Sequence, residues 1–175
     1  PKGCSKYANC FADIGAGGGG SETETNTNTT AMIIAPPPDI AIPDIKKFLN
    51  CLNISQPASL KIYAAKMFSS SSSGHAFISI TQGNNTMTFG FYPKNGAQYQ
   101  LNGPGVFGDD SGHAYTSVLN VGTISPTQLQ QIIASAMSYT TTMYNLGTNN
   151  CADFALTVLG YAGYNTNTFG VDTPT

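Results

Sequence analysis

At 175 residues the chain is long enough to enclose one hydrophobic core. Only 9% of its residues are charged and the net charge is −2, which excludes a basic nucleic-acid footprint and does not favour an anionic membrane surface. Asn, Thr, Ser and Gly fill the polar positions, and no apolar run approaches the roughly 20 residues that span a bilayer, so the expectation is a secreted, periplasmic or cell-surface protein with no membrane insertion and no nucleic-acid partner.

The chain opens on Pro1 without an initiator Met or leader, as expected of a mature product or an excised domain. Residues 1–30 form a Cys-containing segment and a Gly/Thr/Asn linker, GAGGGGSETETNTNTT, of flexible composition. Residues 31–175 are expected to be one domain. Residues 31–35 suit a short strand, stopped by Pro36-Pro37-Pro38. Asp44 is placed to cap a short helix over residues 45–52, with Ile45, Phe48, Leu49 and Leu52 on one face. From Ser59 the period becomes two, with Leu60, Ile62 and Ala64 on one side. A five-serine loop, residues 69–73, leads to a second strand over 74–81, and the turn Gln82-Gly83-Asn84-Asn85 joins it to a third over 86–92. A Gly/Asn-rich loop then runs to Asp109-Asp110-Ser111-Gly112, and a fourth strand is expected over 113–121.

Helical periodicity returns at Ser125, an N-cap with Pro126 at the first helical position, followed by the stripe Leu129, Ile132, Ile133, Ala136 and Met137. A loop over 140–150 delivers Cys151 to a last helix ending near Gly163. If Asn150 is the N-cap, Asp153 reaches back to it in a capping-box variant. Cys151, Phe154, Ala155 and Val158 then share the core-facing stripe. A thiol at such a helix start sits beside unpaired backbone donors and the positive end of the helix dipole, which favour its ionised, nucleophilic form. The plainer alternative is a buried structural cysteine.

Four cysteines, Cys4, Cys10, Cys51 and Cys151, show no paired C-x-x-C spacing of the kind zinc ribbons use. In an oxidising compartment Cys4 and Cys10 are close enough to pair locally, leaving Cys51 and Cys151 free, although other pairings stay open. Both histidines follow a glycine at the expected start of a strand, in Gly74-His75-Ala76-Phe77 and Gly112-His113-Ala114-Tyr115. An imidazole at a strand's mouth beside a cysteine at a helix start is what a thiol–imidazole pair needs. His75 is taken as the base. His113 is taken as the group that orients it, the alternative being a loop anchor with Asp109 or Asp110. The backbone N–H of Cys151 with the side chain of Asn149 or Asn150 would serve a developing oxyanion. A metal site from His75, His113, Cys151 and an Asp lacks a short-spaced ligand pair, and no cofactor is expected.

The order G-H-A-F-I-S-I, F-G-F-Y-P, D-D-S-G-H-A-Y, an amphipathic helix and Y-N-L-G-T-N-N-C-A-D-F-A resembles circularly permuted papain-like cysteine hydrolases of the NlpC/P60 superfamily. It is especially similar to C-terminal domains of Bacteroidetes surface or effector proteins, over residues 44–163. The resemblance implies Cys151 as nucleophile and His75 as base, His75 preceding Cys151 as in the permuted branch. It also implies an α+β fold in which an antiparallel sheet of four to five strands packs on the Cys-bearing helix and a second amphipathic helix. The function expected is a cysteine amidase or endopeptidase acting on peptide or peptidoglycan, and an antibacterial effector would bring an immunity protein as partner. A non-catalytic surface module and a thiol acyltransferase are the alternatives.

Overall fold

A computed structural model describes residues 35–66, 74–95 and 102–166. The expectations for the N-terminal segment, the linker, the serine loop and the C-terminal tail lie outside the described residues, as does all but Ala35 of the strand expected at 31–35. The architecture is α+β. An antiparallel sheet is built from β1 (Ala41–Ile42), β2 (Ala58–Ala65), β3 (His75–Gln82), β4 (Asn85–Pro93), β5 (Asn102–Asp109), β6 (Ser117–Ile124) and β7 (Met143–Asn145). Its order is β1-β5-β4-β3-β2-β6, with β7 added to the other end of β5. Among the described residues three helices accompany it: α1 (Ile45–Phe48), α2 (Pro126–Tyr139) and α3 (Cys151–Tyr161). No helix among the described residues is long and apolar enough to cross a membrane.

Seven strands replace the four to five expected. The additional ones escape a pattern search because β1 and β7 span two and three residues and β5 reads NGPGVFGD, with the Gly and Pro that strands usually lack. The glycines of β5 are there for close approach. A β-carbon on Gly105 would overlap the Phe91 ring, and one on Gly108 would overlap Pro38 and stand 2.7 Å from the Tyr92 ring.

The central hairpin closes as its turn sequence requires, Gln82 pairing with Asn85 around Gly83, whose φ of 59° a side chain would resist. Along β3 the side chains alternate. Ala76, Ile78 and Ile80 join Leu60, Phe89, Leu129 and Phe154 in the main core. His75 and Phe77 face the other way, their rings stacked 5.5 Å apart, and Phe77 stacks in turn on Tyr63 at 4.9 Å.

Helix α2 starts as expected, with a full capping box between Ser125 and Gln128 and Pro126 in the first turn. Leu129, Ile132 and Ala136 are buried, but Met137, expected on the same stripe, is 40% exposed. Asp44 caps α1 through the Lys47 N–H, yet the helix stops at Phe48 and not at residue 52. Shorter-range bonds, Asn50 N–H to the Lys47 carbonyl and Leu52 N–H to that of Leu49, take over the last turn. Cys51, whose pairing the sequence left open, is disulfide-bonded, and Cys151 is a free thiol.

Helix α3 lies on β3 and β4. Its end is a Schellman motif: Gly163, at φ 97°, donates to the Gly160 carbonyl and Tyr164 to that of Leu159. Phe154, fully buried, meets Phe107 at 5.0 Å and Tyr139 at 5.1 Å, tying helix, sheet and α2 together. Phe154→Ala is expected to lower unfolding stability by about 3–5 kcal/mol. Met137→Ala should stay within about 0.5 kcal/mol. Urea titration of both variants checks the difference.

Candidate active site

Cys151 is the first residue of α3, held there by two reciprocal bonds. The Asn150 side-chain oxygen accepts from the N–H groups of Ala152 (2.7 Å) and Asp153 (3.3 Å), and the Asp153 carboxylate accepts from the Asn150 N–H (2.8 Å). Asn150 is itself buried, its amide nitrogen donating to the Leu146 carbonyl at 3.0 Å. The thiol therefore starts from a rigid helix end, and Cys151 is 8% exposed.

His75 enters from the first position of β3, preceded by Gly74 at φ 70°, a left-handed conformation that glycine adopts without strain. Its imidazole and the Cys151 thiol line the same cleft, and the thiol is among the groups that raise the imidazole's pKa. Its Nε2 is engaged 3.1 Å from Oδ2 of Asp110, so that bond does not occupy Nδ1. Cys151 and His75 thus share one cleft, and the His75–Asp110 contact behind it is buried on both sides.

Asp110 is the member that sequence reasoning missed. Of the two adjacent acids, Asp109 folds its carboxylate onto the N–H and hydroxyl of Ser111 (2.9 and 2.6 Å) and so makes the turn. Asp110 turns inward, its N–H anchored on the Thr88 carbonyl at 3.0 Å. The Asp109-Asp110 run was visible beside His113, but without β5 there was no alternation to say which acid points in. Gly90 makes room for the pair, since a β-carbon there would stand 2.6 Å from Asp110 Oδ2 and 2.7 Å from His75 Nε2. Gly90 is paired across the ladder with Gly108.

His113 does not head a strand. It closes the turn after β5, donating its N–H to the Asp110 carbonyl at 2.9 Å, and β6 begins four residues later. It is not the hydrogen-bond partner of His75 either. Its ring meets that of His75 edge-on at 5.2 Å, and its Nδ1 lies 3.9 Å from Asp110 Oδ1. The orienting contact expected from His113 is made by Asp110, because the turn carries the carboxylate inward ahead of the imidazole. Asn149, expected as an oxyanion donor, spends its amide on the Met143 carbonyl at 2.6 Å. The Asn150 amide nitrogen is engaged as well, on the Leu146 carbonyl. Tyr144 of β7, 2% exposed, lines the same cleft as Cys151 and has no hydrogen-bond partner for its hydroxyl among the described residues.

Charge explains the protonation states. Burial works against an imidazolium at His75, but the hydrogen bonds to Asp110 and Cys151 and the negative charge of both outweigh it, and its pKa is pushed up to about 9. Burial and the neighbouring positive charge of His75 hold His113 below its ordinary value. Burial, then the charge of Cys151, raises the Tyr144 phenol, which stays protonated as a donor.

The cleft is small, about 30 Å³, and is walled by Pro36, Phe91, Pro93, His113 and Tyr144 around the thiol and imidazole. Among the described residues no three His, Cys, Asp or Glu side chains group as metal ligands. No family model, curated protein or solved structure matches the chain.

The His75 shift fixes the sign of a pH effect. A pKa raised from 6.5 to about 9 contributes stability that is fully present below about pH 6.5 and lost as pH rises through about 9. The melting temperature of the wild type is expected to fall across that window, and Asp110→Asn should flatten the fall. Thermal scans from acid to alkaline buffer measure it.

Proposed function

We propose that this chain is a cysteine-nucleophile amide hydrolase, an amidase or endopeptidase with a permuted papain-like arrangement, and that its first substrate is the peptide of the bacterial cell wall. The observation that supports the reading is that Cys151 and His75 share one cleft while His75 is bonded to the buried Asp110. A structural cysteine needs no such partners.

In the reaction, Cys151 gives its proton to His75 and its sulfur attacks the substrate carbonyl carbon. Asp110, bonded to the far nitrogen, holds the ring in place and favours the imidazolium that forms. The developing oxyanion is met by the N–H of Cys151, one of the donors a helix start leaves unbonded, and by the Tyr144 hydroxyl. The C–N bond breaks as His75 returns the proton to the leaving amine, and a thioester remains. Water then gives a proton to His75 and attacks the thioester. The acid leaves and the sulfur recovers its proton.

The cell-wall substrate rests on the low-charge, exported type of composition and on the likeness of the G-H-A-F and N-N-C-x-D-F-A segments to NlpC/P60 hydrolases. In a producing cell an antibacterial effector of this kind would be held in check by an immunity protein. Incubation of wild type and Cys151→Ala with purified peptidoglycan sacculi, and in parallel with lipid esters, tests the reading. Soluble muropeptide fragments are expected from the wild type alone, with His75→Ala slower by about 10²–10⁴-fold. Turnover of lipid esters only would make the chain an acyltransferase, and sedimentation of both proteins with sacculi without release would make it a binding module.

A further inference from the structure

We propose that Tyr92 is a positioning residue for the His75–Asp110 pair: its hydroxyl holds one oxygen of the carboxylate so that the other stays aligned on the imidazole. The inference rests on the hydrolase reading above and adds a member that the reaction scheme does not use.

A carboxylate on a short side chain swivels about its last bond, so a single hydrogen bond to His75 does not fix it. Asp110 faces two further donors on its other oxygen. Tyr92 donates its hydroxyl to Oδ1 in a short bond, and Nδ1 of His113 lies 3.9 Å from the same atom. Tyr92 wins because its ring is held from two sides. It packs 4.2 Å from the His75 ring, and on the sheet it occupies the space that Gly108 leaves open. The phenol stays protonated, since burial and the adjacent Asp110 charge both raise its pKa. The paired glycines thus have matching tasks: Gly90 makes room for the imidazole and the carboxylate, Gly108 for the phenol that clamps the carboxylate.

Removing the hydroxyl leaves Oδ1 with His113 as its nearest donor. The carboxylate then turns toward His113 and its bond to His75 weakens. The titratable groups facing His75 are Cys151 on α3, Asp110 and His113 in the turn after β5, and Tyr92 on β4. Asp39, from the segment before β1, acts on Tyr92 and His113.

The test is the pH profile of Cys151 alkylation together with NMR titration of the His75 imidazole, which need no substrate. In Tyr92→Phe the His75 midpoint is expected to fall by about one pH unit or more, with alkylation at pH 8 slowed roughly tenfold. The double variant Tyr92→Phe/His113→Ala, which removes the competing donor, should recover part of the shift. A folded Tyr92→Phe with an unchanged midpoint overturns the positioning role and leaves the hydrolase reading intact. If His75→Ala alkylates like the wild type, the thiol–imidazole reading itself falls. Should Tyr92→Phe not fold, the wild type decides: a slowly exchanging phenol proton that disappears in Asp110→Asn supports the clamp, and its absence overturns it.

Discussion

A buried imidazole bonded to a buried carboxylate is the constraint on which the rest of this structure turns. Neither group is tolerated alone in the interior, since an unpaired buried charge costs several kcal/mol. Together they need three things of the chain: a strand start for His75, a turn that drives Asp110 inward, and a sheet thin enough beneath them. Gly74, the Asp109–Ser111 turn and Gly90 supply these in order. Features that look like irregularities in a strand pattern are what the pair requires.

Local chemistry made much of the fold legible. A cap is a contact within four residues, so Ser125 with Gln128 and Asn150 with Asp153 were readable before any tertiary information, and so was the burial of Phe154, Ala155 and Val158. The hairpin around Gly83 is equally local. What could not be read depends on neighbours distant in sequence. Strand β5 is stabilised by its place between β1 and β4 and overrides its own composition, β7 exists because Asn102–Pro104 is there to pair with it, and Met137, on the apolar stripe by period alone, is 40% exposed.

The same division runs through the site. Cys151 and His75 each stand at the end of a regular element, and ends carry sequence signals. Asp110, Tyr92 and Tyr144 are drawn from a turn, the end of a strand and a three-residue strand, and they meet only in the folded state. Tyr92 offers no charge to mark it in the sequence, and its part becomes visible only once Asp110 is seen bonded to both Tyr92 and His75. The misplacement of His113 follows from one missing strand. With β5 absent, the Asp109-Asp110 run read as a loop before a strand, and the second histidine inherited a role that belongs to the acid three residues before it.

Sparse charge gives the site its setting. The chain carries 7 Lys and Arg against 9 Asp and Glu, and among the described residues no basic side chain lines either the Cys151 cleft or the adjoining one bounded by Asp39, Ser111 and Gly112. The electrostatic state of His75 is therefore set by its immediate neighbours, with little long-range field from the surface to modulate it. Such a centre keeps its internal balance as ionic strength changes, because its partners are buried and salt screens exposed charges far more than buried ones. By the same argument the cleft has no means of drawing an anionic polymer toward it from a distance.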